Sequence, residues 1–355
     1  MKMSEQLAQL VPRFELVIAE SLRDRIAPRV DVWRWYGIAR PFALTRLPLW
    51  LWRRSPVFES VREGRFSFVA PRYAARVRPA LVWTRSVPIA EACLARGLPV
   101  LFERHAVTPN KWRARLARIA AAPNLRGFIT LSDSLCRELA AEGVPAEKLG
   151  AFPSASNEAA PRGDPRAARR GLGIEEDGAL ALYVGRLSED KGLHTLLAAA
   201  AQLPHVRFAV LGGSDAEIAH WRARASRNVV FRGYVAHAEV PAWLAAADVG
   251  LFTNSARDPL ASATSPLKVA EYAAAQLPVV ASAIPAVAAT LREGETAFLF
   301  APDDAKGLAA AIARALENPA RATEIAQRAH AQRAGYTWRE RAQRILARFA
   351  PELLA

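Results

Sequence analysis

Beyond position 178, short apolar runs alternate with longer alanine-rich stretches of mixed polarity. The runs at 180–184, 207–211, 229–231, 249–252 and 279–281 predict strands, and the stretches between them predict helices. That alternation implies a parallel sheet covered on both faces. One unit can be read in full in ALALYVGRLSEDKGLHTLLAAAAQL, 179–203: an apolar strand to Val184, a glycine turn, a charged loop, then a helix from about Gly192. The first half is less regular. ALVWTRS at 80–86 and LPVLFERHA at 98–106 are strand-like, GFITLSDSLCRELAAEGVPAEKLGAF at 127–152 follows them, and PRFELVIAE at 12–20 supplies an earlier strand. Between the halves, SNEAAPRGDPRAARRGLGIEEDG, 156–178, is rich in Pro, Gly and charge and predicts an interdomain crossover. From Pro319 onward the pattern is helical, with a final helix at 338–349.

A chain of 355 residues exceeds the usual size of a single core, so two domains are expected. The hydrophobic share of 52% is ample for both. Its longest apolar runs are broken by Arg, Pro or Gly well short of the ~20 residues that a membrane helix needs. No basic, apolar and small-residue leader pattern opens the chain. Cys93 and Cys136 are too isolated for a disulfide framework or a metal site, which fits a reducing cytoplasm.

Charge changes the picture of partners. Residues 1–170 hold 29 Lys plus Arg against 15 Asp plus Glu, whereas residues 171–355 hold 19 of each, so the whole excess of +14 lies in the first half. Within it, 21–85 carries 14 basic and 4 acidic residues and includes PLWLWRRSP, where Trp50 and Trp52 stand beside Arg53 and Arg54. Indoles next to paired arginines suit an anionic membrane surface, although a solvated basic face with inward indoles gives the same pattern. No helix-turn-helix, RNA-recognition or zinc pattern accompanies the charge, so nucleic acid is not an expected partner.

The densest chemistry lies in SPLKVAEY, 265–272. Ser265 is a good N-cap and Pro266 a good first helical residue, so the free amides of the first turn and the helix dipole face any anion bound there. Lys268 adds charge at that end, and Glu271, one turn on, can accept hydrogen bonds from two vicinal sugar hydroxyls. A capped helix with a solvated Lys268–Glu271 pair is the plainer reading of this segment alone. Arg186 and Lys191, flanking the loop after the 180–184 strand, stand where open parallel sheets bind ligands and can meet phosphate oxygens.

Together these segments resemble retaining nucleotide-sugar glycosyltransferases of family 4 (group 1), with the two-domain GT-B fold. The resemblance covers 81–315 and rests on YVGRLSEDKG, FAVLGGS, VVFRGYV, VPAWLAAADVGLFTNS, SPLKVAEYAAAQLPVVASAIPAV and EGETAFLFAPDDAKGLAAAI, in family order. It implies two Rossmann-like domains facing across a cleft. An acceptor-binding domain at 1–160 would be joined by a crossover at 161–178 to a nucleotide-sugar-binding domain at 179–335, and a helix at 336–355 would cross back. Arg186 and Lys191 would bind the donor diphosphate, Glu271 the ribose and the Tyr234–Val235 backbone the base. Gly185, Gly212, Ser265, Pro266, Leu267 and Lys268 would complete the donor site. His105 would stand at a strand's carboxyl end near the acceptor or transferred sugar, with Glu103 on the opposite face.

Some positions depart from the family pattern. Residues 1–22 contain no glycine, so the first strand and glycine-rich loop are expected to be missing or remodelled, with an in-frame start upstream as one explanation. Ala263 replaces the first of two glutamates eight positions apart, Gln276 stands where a helix-ending glycine is usual, and Asn157 replaces an aspartate. The expected activity is hexosyl transfer from a nucleotide-diphosphate sugar to a glycan or lipid-linked acceptor, with retention and with neither metal nor cofactor. Arg186, Lys191 and His105 would be its catalytic residues, and the cytoplasm its expected place, with a peripheral position on the inner face of the membrane as the alternative to a free one. The alternatives are a non-catalytic GT-B protein that binds a nucleotide or an anionic membrane partner, and an isomerase or hydrolase of nucleotide sugars on the same fold.

Overall fold

The computed structural model describes all residues except 22–29, 50–55, 106–109, 158–162, 260, 262–265, 334 and 355. Two compact units result, Met1–Pro153 with Trp338–Ala355, and Ser154–Thr337.

The second unit is built on six parallel strands: β7 (Ala179–Val184), β8 (Val206–Leu211), β9 (Val229–Gly233), β10 (Val249–Phe252), β11 (Val279–Ser282) and β12 (Phe298–Phe300), in the order β12-β11-β10-β7-β8-β9. Numbered from β7 as one, this is the 3-2-1-4-5-6 order of a doubly wound sheet, whose strand order reverses between β7 and β10. The apolar runs are continuous because both faces are covered. Ala181, Leu182, Val206, Phe208, Val249, Val279 and Val280 are all fully buried. Alanine-rich helices such as Leu193–Gln202 and Ala305–Glu317 can lie close on the sheet, with Ala199, Ala200 and Ala311 also at 0% exposure. β12 lies inside the quoted EGETAFLFAPDD segment, although the strand pattern did not single it out.

The segment expected as a crossover contains a helix, Pro165–Gly171, capped by Asp164. Arg169 on this helix is buried and donates to the carbonyls of Ala246, Glu176 and Gly178 and to Asp248, which also accepts from the Leu180 amide at the start of β7. A composition rich in Pro, Gly and charge therefore conceals an anchored element, because one arginine satisfies several backbone carbonyls at once.

The first unit has two parallel sheets. One pairs β1 (Glu15–Glu20) with β2 (Ala43–Pro48); the other runs in the order β3 (Val82–Thr84), β4 (Val100–Arg104), β5 (Leu125–Thr130), β6 (Leu149–Ala151). The chain enters as a helix, Lys2–Leu10, before β1. Its Leu7 and Leu10 pack on Ala342, Leu346 and Ala350 of the last helix and its end, Trp338–Phe349 being the helix. On the sheet, Phe349 and Ile345 cover Leu101 and Ile129.

Candidate active site

Both loops at the reversal of strand order in the second unit carry expected or unforeseen polar groups. After β7, the Gly185 amide donates to Leu211 and the Tyr183 hydroxyl to the Arg186 carbonyl, which fixes the turn. Burial pushes the Tyr183 phenol well above its ordinary pKa, so it remains a donor. Arg186 extends outward, 69% exposed, with Asp190 3.4 Å away.

Lys191 is more buried, with 19% of its side chain exposed. Its Nζ lies 2.6 Å from the buried carboxylate of Asp258 and 3.3 Å from Asp190, and Asn254 Nδ2 donates to the same Asp258 oxygen at 2.6 Å. Thr253 Oγ1 donates to the Lys191 carbonyl at 2.7 Å, tying the loop after β7 to the loop after β10. Gly192 allows this approach: its φ is 70°, and a Cβ there would lie 1.8 Å from the Thr253 carbonyl oxygen. Burial of Asp190 would raise its pKa, but hydrogen bonding by Ser188 and the Lys191 charge outweigh that and hold it below the ordinary range. Asp258 and Asn254 were not anticipated, since nothing in ARDP or TNS distinguishes them from surface loop residues.

Gly212 follows β8 with φ 120°, and a Cβ there would lie 2.0 Å from the Gly185 carbonyl oxygen, so the turns after β7 and β8 meet backbone to backbone. Beyond β9, Tyr234 is 66% exposed and Val235 packs partly against the core.

The helix of the SPLK segment is Leu267–Ala274, with Pro266 as its N-cap rather than its first helical residue. The reason is the backbone of Pro266, whose ψ of 95° is extended. Ser265, expected as the cap, and Ala263 lie outside the described residues. Lys268 Nζ donates to Glu271 Oε2 at 2.8 Å, and His237 Nε2 lies 3.7 Å from Oε1. Burial acts to raise the Glu271 pKa; His237 and Lys268 more than offset it and keep the carboxyl below the ordinary range. Just past the end of this helix Gln276 has φ 52°, the left-handed conformation that glycine adopts without cost.

In the first unit, His105 follows β4, half-buried, with its Nε2 2.7 Å from Glu103 Oε1. Glu103 does not point to the opposite face. Side chains two apart share one face of a strand, so the alternation places Glu103 directly beneath His105. It also accepts from Trp83 Nε1 at 2.9 Å and from Arg341 Nη2 at 2.7 Å. Among the described residues no group of three or more His, Cys, Asp and Glu side chains is placed to hold a metal ion.

Residues 178–318 match the family model described as Glycosyl transferases group 1. A D-inositol 3-phosphate glycosyltransferase 2 of Catenulispora acidiphila is 33% identical over 194 residues, which is 49% of this chain and 44% of that relative's own length. Among solved structures, a sucrose-phosphate synthase from Thermosynechococcus elongatus superposes with a TM-score of 0.73 at 22% identity, covering 97% of this chain and 90% of its own. Anabaena HepE, in complex with UDP and glucose, does so at 0.66 and 19% identity, covering 86% and 85%. These likenesses give the chain the GT-B fold.

Proposed function

We propose that the chain, whose residues 178–318 match the model of Glycosyl transferases group 1, moves a hexosyl group from a nucleotide-diphosphate sugar to a glycan or lipid-linked acceptor, with retention. The observation that carries this reading is the placement of Lys191 beside the reversal of strand order, where doubly wound sheets bind ligands, together with Lys268 and Glu271 on a helix of the same unit. HepE, the UDP-bound neighbour, supports a uridine donor.

Departure of the nucleoside diphosphate develops negative charge on its phosphate oxygens. Arg186, Lys191, Lys268 and the free first-turn amides of the Leu267–Ala274 helix would stabilise that charge without a metal. Glu271, kept ionised by its neighbours, would accept from the ribose hydroxyls. Tyr234 and Val235 would meet the base, while Gly185 and Gly212 let backbone approach the donor. Ser265, outside the described residues, would extend the same helix start, and no cofactor is required.

His105, on the acceptor-binding unit, would orient the transferred sugar or the acceptor hydroxyl. His105→Ala should then lower transfer at saturating donor at least tenfold, about 1.4 kcal/mol or more in the transition state, with donor affinity nearly unchanged. Steady-state kinetics alongside donor titration measures both; an unaltered rate would remove His105 from the chemistry.

The first unit's basic excess supports a peripheral place on the cytoplasmic face of an anionic membrane, near a lipid-linked acceptor. Among the described residues no helix is long and apolar enough to cross a membrane. Trp50, Trp52, Arg53 and Arg54 lie outside the described residues, so the argument is one of charge. Sedimentation with anionic but not neutral liposomes, reversed by salt and weakened by Arg53→Glu with Arg54→Glu, is expected because such attachment is screened over ~10 Å at 0.1 M. Equal binding to both liposome types would reject it.

A further inference from the structure

The carboxylate beneath His105 decides which ring nitrogen is available to a substrate. Glu103 Oε1 accepts from Arg341 Nη2 at 2.7 Å and lies 2.7 Å from His105 Nε2, while Oε2 accepts from Trp83 Nε1 at 2.9 Å. Donors on two sides prevent the carboxylate from turning away. Arg341 is itself fixed, because its Nε donates to the Pro153 carbonyl at 3.0 Å and its Nη2 to that of Phe152 at 3.2 Å. An ionised carboxylate can only accept hydrogen bonds, so the hydrogen shared with His105 must reside on Nε2. In a neutral imidazole the other nitrogen then carries the lone pair. Among the described residues nothing bonds Nδ1, and the His105 side chain keeps 27% of its surface exposed.

We propose that Glu103 is a positioning residue that holds neutral His105 as the Nε2–H tautomer, leaving Nδ1 to accept a hydrogen bond from a sugar or acceptor hydroxyl. This rests on the reading of His105 given above. It also assigns a role to Arg341 and Trp83, which act on the histidine only through the carboxylate.

The test is nitrogen NMR of the full chain labelled with 15N-histidine, in which the spectrum of His105→Asn identifies the signals. The native protein should show His105 with hydrogen on Nε2 and none on Nδ1. In Glu103→Leu no acceptor remains for Nε2, so hydrogen should no longer be confined to that nitrogen and the Nδ1–H tautomer should appear. Transfer at saturating donor should fall at least tenfold, with donor affinity within twofold. Hydrogen on Nδ1 in the neutral native ring overturns the proposal, as does an unchanged tautomer or a full transfer rate in folded Glu103→Leu. Because the tautomer is read in the free protein, it is decided separately from whether the chain transfers sugar.

Discussion

Arg341→Ala should destabilise the first unit by about 3–5 kcal/mol, the usual loss when one partner of a buried ion pair is removed. Arg341 is 3% exposed, and its guanidinium serves Glu103 together with the Phe152 and Pro153 carbonyls. Without it a buried carboxylate keeps only His105 and Trp83, and two carbonyls lose a donor. The same network predicts acid sensitivity. Burial would raise the Glu103 pKa, yet the His105 hydrogen bond and the Arg341 charge lower it from 4.5 to about 2. A depressed folded-state value means that the stabilisation, of order 3 kcal/mol, is fully present above the unfolded value and is lost as pH falls from about 4.5 through about 2. Urea titrations across that window should show it in the native protein. Arg341→Ala should show a smaller change; equal acid loss in both, or an unchanged midpoint at neutral pH, would contradict this account.

Lys268→Ala should weaken uridine or guanosine diphosphate binding by about 1.5–3 kcal/mol, the worth of a charged hydrogen bond. Lys268 carries two duties in this account. It lies near the start of the Leu267–Ala274 helix, whose first-turn amides have no intrahelical acceptor, and it holds Glu271, whose carboxylate the proposal assigns to the ribose. Its removal leaves that carboxylate with His237 at 3.7 Å. Arg186→Ala should weaken binding as well, since its side chain is 69% exposed and lies 3.4 Å from Asp190 in a long ion pair. Calorimetric titration without added metal checks both, and unchanged affinity in both variants would eliminate the proposed donor site.

The second unit was largely legible because its strands are buried on both faces. Continuous apolar runs such as LALYV and VVAS can be recognised without knowing what they pack against. Arg186, Lys191, Lys268 and Glu271 could be singled out because each lies close to a strand end or a helix start. Asp258 and Asn254 could not, since Asp258 matters by meeting Lys191 across the reversal of strand order, 67 positions away in the sequence, and Asn254 by donating to Asp258. Strand β2 was missed for a local reason. ALTRLP places Arg46 and Pro48 within an edge strand of a two-stranded sheet, which blurs the apolar pattern. The Glu103–His105 pair was within reach, because spacing of two in a strand already places both side chains on one face. Arg341, which completes it, comes from the opposite end of the chain and left no signal near FERH.

Release of nucleoside diphosphate from common nucleotide sugars, followed with and without a lipid extract as acceptor, tests the central claim most directly. The account predicts metal-independent release that rises with acceptor, with the sugar recovered on the acceptor in its original anomeric configuration. Diphosphate binding without release from any such donor would contradict the enzyme and leave a nucleotide-binding protein.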